Sequence, residues 1–142
     1  MNLFKKFARL VCVRRHRSTV PTGLLPLSEV KSVVVFFDES DPYCEPLKIR
    51  IKEFFGKRGA AVQFVSEFDK DLRTESDLFI ALNTKPSIDE KYAASCSRAR
   101  FKVGRHQLKG KVYDFVVKDP TEEPEPVGAA FDVIEKMLTS IL

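Results

Sequence analysis

"SVVVFF", residues 32–37, decides the architecture of this chain. Val33, Val34, Val35, Phe36 and Phe37 form an unbroken apolar run. A strand with one wet face alternates apolar and polar residues, so a run without alternation needs cover on both faces, as in a parallel sheet between helical layers. The next segment, "DESDPYCEPLKIRIKEFFGKRG" (38–59), places Leu47, Ile51, Phe54 and Phe55 on one helical stripe. Asp41-Pro42 reads as a turn, Pro46 as the start of the regular helix, and Gly59 as its end. "AAVQFVSEF" (60–68) is a second strand, and the strand–helix–strand order implies a right-handed crossover.

The pattern then repeats. "DLFIALN" carries a third strand at 78–82, and "SIDEKYAASCSRA" a helix with Ile88, Tyr92, Cys96 and Ala99 on one face. "FKVG" is a short fourth strand and "YDFVV" a fifth. "EPVGAAFDVIEKMLTSIL" closes the chain as a helix, with Val127, Ala130, Phe131, Ile134, Leu138 and Ile141 inward. Alternating strands and helices predict an α/β fold, a single-domain Rossmann/flavodoxin-like three-layer sandwich with a mainly parallel, roughly five-stranded sheet. One link resists this scheme: residues 69–76 are short for a parallel crossover, which points to an irregular or antiparallel second-to-third connection. The domain is expected at 30–142, after a basic amphipathic arm at 1–17 and a Pro- and Gly-bearing linker at 18–29.

The 142 residues fit one domain with a substantial core, and 12 Phe against no Trp make that core rich in Phe, Val and Ile. No apolar run approaches the roughly 20 residues that span a bilayer. Cys12, Cys44 and Cys96 are an odd number with no C-x-x-C pair. That suits reduced thiols in a cytoplasmic compartment and argues against a zinc site.

The net charge of +4 is unevenly spread. Residues 1–17 hold six Lys or Arg and no acid, and residues 97–111 hold another six. With those set aside, 12 basic residues face 20 acidic ones, a net −8. Two positive zones on an acidic body suggest an anionic partner, although exposed basic loops also serve solubility alone. In the arm, Leu3, Phe4, Phe7, Leu10 and Val11 keep helical spacing opposite Lys5, Lys6 and Arg9, with Arg14 and Arg15 following. Its apolar run is too short for a secretory signal. The segment fits a mitochondrial presequence in a eukaryote, or in a bacterium an arm lying on an anionic membrane surface or on RNA. A helix folded back on the domain has the same spacing.

In open α/β sheets ligands sit beyond the carboxyl ends of the strands. Reading those ends gives Asp38, Glu39 and Asp41 after strand one and Asn83, Thr84 and Lys85 after strand three. Gly104, Arg105 and His106 follow strand four, and Lys118 and Asp119 follow strand five. The acids after strand one and "KDP" (118–120) resemble the response-regulator receiver layout, but Asn83 stands where the phosphorylated Asp belongs. The commoner explanation of "DESDP" is an Asp-rich turn capping the next helix. The six glycines form neither G-x-G-x-x-G nor a P-loop, so no cofactor-binding motif is present. His16 and His106 lack the context of a triad or metal cluster, no metal site or catalytic residue is nominated, and nothing marks a DNA-specific motif. Arg105 is the leading candidate for phosphate contact, with Asn83 and Asp38 beside it.

The ordered set "SDLFIALNT", "ASCSRARFKVG" and "YDFVV", followed by a terminal amphipathic helix, resembles an uncharacterised family of small α/β proteins found in Bacteroidetes-type bacteria. There a D-L-L-I-N-L strand precedes A-K-F-K-V-G, then Y-D-L-M-I and a C-terminal helix. The likeness covers residues 30–142 and is most specific at 99–104. This chain lacks an insertion between Phe68 and Asp77, and has Ala81-Leu82-Asn83 where Asn-Leu-Thr is usual. The resemblance implies the fold and a bacterial cytoplasm, and no activity. A looser analogy is to the Rossmann-like halves of sugar-transferring enzymes, with a strand–helix–"G-A-x-x-R-I-G" order.

Three expectations follow. The first is a non-catalytic accessory protein docking on an anionic membrane or RNA through Lys5, Lys6, Arg9, Arg14, Arg15, Arg100 and Lys102. The second is an enzyme or sensor holding a phosphorylated small molecule at Arg105, Asn83 and Asp38. The third is a scaffold for a protein partner, its basic residues merely solvated.

Overall fold

The run at 32–36 lies one place in from the edge of a five-stranded sheet. The computed structural model describes residues 23, 25–36, 44–66, 76–83, 87–106, 112–117 and 127–140, with the backbone alone at 44 and 127–130. The strands are β1 (Ser32–Phe36), β2 (Ala61–Val65), β3 (Leu78–Ala81), β4 (Phe101–Gly104) and β5 (Phe115–Val116), in the order β2-β1-β3-β4-β5. Every pairing is parallel. This is the flavodoxin-like order, with the direction of winding reversing between β1 and β3.

Helices cover both faces, as the unbroken apolar strands require. Helix α1 (Cys44–Gly56) and helix α3 (Val127–Ser140) lie on one face. Leu47, Ile51, Phe54 and Phe55 of α1 and Phe131, Ile134 and Leu138 of α3 join Val33, Val35, Leu78, Ile80, Phe101 and Val103 in one core. Helix α2 (Ile88–Cys96) covers the other face, where Ala94 meets Phe36, Phe79, Ala81, Ala99 and Tyr113. Leu78, Phe79, Ile80 and Ala81 of the central β3 are at most 1% exposed. Each large side chain removed from water contributes about 1.5–3 kcal/mol, so this strand anchors the sheet. Arg50 ties α1 to α3 through Asp132 and Glu135, and stacks over Phe131 at 4.9 Å.

Several expectations are corrected. The antiparallel reading of the second-to-third connection is corrected: β3 runs parallel to β1 and pairs with the side of β1 away from β2. The segment expected as a linker is partly core: Leu25 and Leu27 are buried in the two-helix layer, and Leu27–Glu29 form a 3₁₀ turn. The Gly23 amide also donates to the Arg100 carbonyl at 2.9 Å. Helix α1 begins two residues before Pro46, which its first turn accommodates. Gly59, at φ +75°, ends the helix as expected: the Ala60 amide donates to the Phe55 carbonyl and the Gly59 amide to the Gly56 carbonyl, each at 3.1 Å, in a Schellman closure. Helix α2 stops at Cys96, so Ala99 packs on the sheet from extended chain. β5 is two residues long, because Tyr113 and Asp114 are drawn into other work.

Candidate binding site at the carboxyl edge

The described basic residues of 97–111 do not make one surface. Arg100 precedes β4 and lies at the amino edge of the sheet, where its Nη2 meets Asp77 Oδ1 at 3.0 Å. The same Asp77 carboxylate accepts the amides of Lys31 (2.7 Å) and Ser32 (3.2 Å). Partial burial opposes ionisation of Asp77, but these amides and the Arg100 guanidinium outweigh it and hold the carboxyl below its usual range. Arg100 therefore bridges the start of β4 to β1 and β3.

Lys102, expected as a surface contact, is 4% exposed. Strand alternation turns it toward α2, where its Nζ donates to the Ala94 carbonyl at 2.7 Å. The ammonium is spent on the end of a helix, a favourable place for a cation. Its backbone amide donates to Asp114 Oδ2 at 2.9 Å. Lys102 thus leaves the set of docking residues. Lys5, Lys6, Arg9, Arg14 and Arg15 lie outside the described residues, as do Lys109 and Lys111.

At the opposite edge the strand ends converge on a buried polar seam. Asn83 follows β3 and is 3% exposed, and Arg105 follows β4 and is 3% exposed. Arg105 Nη1 lies 3.4 Å from the Leu82 carbonyl, one residue before Asn83. The structure thus brings two of the three expected ligand residues to adjacent strand ends. Asp38 lies outside the described residues.

Behind them stands Glu90, at 0% exposure, a residue sequence reasoning missed. Its carboxylate accepts the Tyr113 hydroxyl (2.8 Å), the Asn83 side-chain amide (2.9 Å) and the Ser87 backbone amide (3.4 Å). Ser87 returns a bond from its Oγ, which accepts the Glu90 amide at 3.0 Å, completing a capping box on α2. That spacing, "SIDE" at 87–90, was a readable helix-start signal. Tyr113 had none, because its role depends on a ring laid across β4. Gly104 makes room for it: a Cβ there would fall 2.4–2.6 Å from the ring carbons. Burial, then the neighbouring Glu90 charge, pushes the Tyr113 phenol well above its usual range.

The seam is a fixed polar support. Three donors satisfy a carboxylate that would otherwise be costly to bury, and in return they fix Asn83 and Tyr113 in place. Among the described residues no group of three or more His, Cys, Asp or Glu is placed to hold a metal. Cys96 is buried against Tyr92 and Ile88, as a small core residue. No described helix is long and apolar enough to cross a membrane.

These features define a flavodoxin-ordered α/β protein with a polar seam under its carboxyl edge. Residues 65–129 match the model of a family of unknown function, DUF6913. The match spans β3, α2, β4 and β5, the elements that build the seam, and agrees with the uncharacterised kind of family the motifs suggested. None of the curated proteins matches the chain.

Proposed function

We propose that this protein binds a small phosphorylated molecule at the carboxyl edge of its sheet, with Arg105 as the anion contact and Asn83 beside it. The observation that carries this reading is a guanidinium only 3% exposed at the end of β4, next to the end of β3. An arginine is costly to bury and offers a planar fork matched to phosphate oxygens. The β1/β3 reversal is the place where sheets of this order hold ligands. Glu90 and Tyr113 support the site without touching the ligand.

A thermal-shift panel of sugar phosphates and nucleotides tests it. A ligand present at about 100 times its Kd stabilises by roughly 2.7 kcal/mol, which raises the melting temperature. Arg105→Lys, which keeps the charge and loses the fork, should reduce that rise. No shift across the panel would sink the reading.

A second reading, docking on an anionic surface, rests on the six Lys and Arg without an acid in residues 1–17. It now relies on Lys5, Lys6, Arg9, Arg14 and Arg15 alone, since Arg100 and Lys102 are engaged by the fold. Deleting 1–17 should then weaken binding to anionic vesicles or to RNA, with steep salt dependence. Unchanged binding to both would exclude it. Either reading goes with a bacterial, cytoplasmic protein, peripheral to the inner membrane face in the vesicle case.

A further inference from the structure

We propose that the amino edge of the sheet is a docking face for an anionic lipid bilayer, working together with the basic arm, a proposal that rests on the second reading above. Parallel strands all start at one edge, so the chain entering each of them is gathered there. Lys31 directly precedes β1, Lys57 and Arg58 lie in the turn before β2, and Arg98 lies between α2 and β4. All four are exposed. They come from three segments remote in sequence, yet the order β2-β1-β3-β4 sets their strand entries within roughly 15 Å, three strand spacings of about 4.8 Å. The Ala61 amide, donating to the Lys31 carbonyl at 2.9 Å, ties the entry of β2 to that of β1.

The balance of charge at this edge is positive. Asp77 is matched by Arg100 and by the amides of Lys31 and Ser32, and Asp114, at the entry to β5, accepts the Lys102 amide. Among the described residues that leaves Glu29 and, one turn back on α1, Glu53 against Lys31, Lys57, Arg58 and Arg98. Arg58 donates one N–H to the Phe54 carbonyl at 2.8 Å and lies over the Phe54 ring at 4.3 Å, which holds its guanidinium at the end of α1.

The arm joins the domain at the same edge. The Gly23 amide donates to the Arg100 carbonyl at 2.9 Å, at the start of β4. The six steps from Arg17 to Gly23 span at most about 21 Å, so residues 1–17 are tethered beside these cations. The arm also decides the kind of partner. Leu3, Phe4, Phe7, Leu10 and Val11 repeat at helical spacing opposite Lys5, Lys6 and Arg9, a pattern suited to the boundary between headgroups and acyl chains. One such segment binds reversibly, and a second cationic contact on the same tether multiplies its affinity. Docking by the amino edge leaves Asn83 and Arg105, at the far ends of β3 and β4, turned away from the bilayer.

Co-sedimentation of the full chain with vesicles of phosphatidylserine in phosphatidylcholine tests the face. Near an anionic bilayer each lysine contributes about fivefold in affinity, so Lys31→Glu with Lys57→Glu should weaken binding at least about 25-fold, with an unchanged circular dichroism spectrum. Lys91→Glu with Lys136→Glu makes the same change in net charge on the two helical layers, and should weaken binding far less. Deleting 1–17 should abolish it. A full chain that does not bind the vesicles, or binds them equally without 1–17, sinks the arm reading and the edge with it. If the arm is needed but the edge and helical-layer variants bind alike, the arm reading stands and the edge is overturned. The edge is overturned too if its variant loses binding to poly(U) RNA while binding vesicles as the helical-layer variant does.

Discussion

The Tyr113 hydroxyl donates to Glu90 Oε1 at 2.8 Å, across the backbone of Gly104. This bond joins the chain entering β5 to the first turn of α2. Removing it with Tyr113→Phe strips a donor from a fully buried carboxylate, at a cost of about 1–3 kcal/mol at neutral pH. The raised folded pKa adds a sign. An unfolded tyrosine ionises near pH 10, as a general reference value. The stabilisation is thus complete below about pH 10 and is lost above it. Urea denaturation of parent and variant between pH 7 and 11 should show their gap narrowing only at the alkaline end.

Gly104→Ala should destabilise by roughly 1–3 kcal/mol, because the new methyl meets the Tyr113 ring inside a packed layer. Pairing it with Tyr113→Ala removes the object of the clash. The double variant should therefore lose less than the sum of the two single losses in melting experiments, whereas strict additivity would show that the ring does not dictate the glycine.

Lys102→Ala should cost roughly 2–3 kcal/mol, since it leaves the Ala94 carbonyl without that donor and opens a void beneath α2. The same residue contributes nothing to surface charge. Binding of Lys102→Met to anionic vesicles or RNA should match the parent, while Lys5→Glu with Lys6→Glu should weaken it if the arm docks. A large loss with Lys102→Met in a folded protein would contradict the buried placement.

Asp77→Asn keeps the shape of the amino-edge cluster and removes its charge. A loss of about 1–2 kcal/mol is expected at pH 7. Because the folded carboxyl titrates below its unfolded value, this contribution is present above about pH 4 and disappears as the pH falls through the folded value. Denaturation at pH 7 and pH 3 should show a difference between parent and variant that shrinks on acidification.

Much of the fold was legible because its signals are local. The apolar run at 32–36, the stripe Leu47, Ile51, Phe54 and Phe55, and "FKVG" at 101–104 each need only neighbours in sequence to be read. The direction of β3 was not legible, since the length of 66–77 does not say which strand it crosses. Leu25 and Leu27 were misread because Pro and Gly around them signal irregular chain, and irregular chain can still be buried. At the carboxyl edge, strand ends pointed to Asn83 and Arg105, whereas Glu90 and Tyr113 are partners only through space, 23 residues apart.

The sequence by itself determined the α/β class, the alternation of strands and helices and the positions of the basic residues, because periodicity and formal charge are properties of neighbouring residues. Only the tertiary structure decided what those charges do. Pleat alternation carried Lys102 under α2, the start of β4 set Arg100 on Asp77, and the end of β4 buried Arg105 beside Leu82. Three cations within six residues went to two edges and an interior, because each step along a strand reverses the side chain and the strand itself spans the sheet from edge to edge.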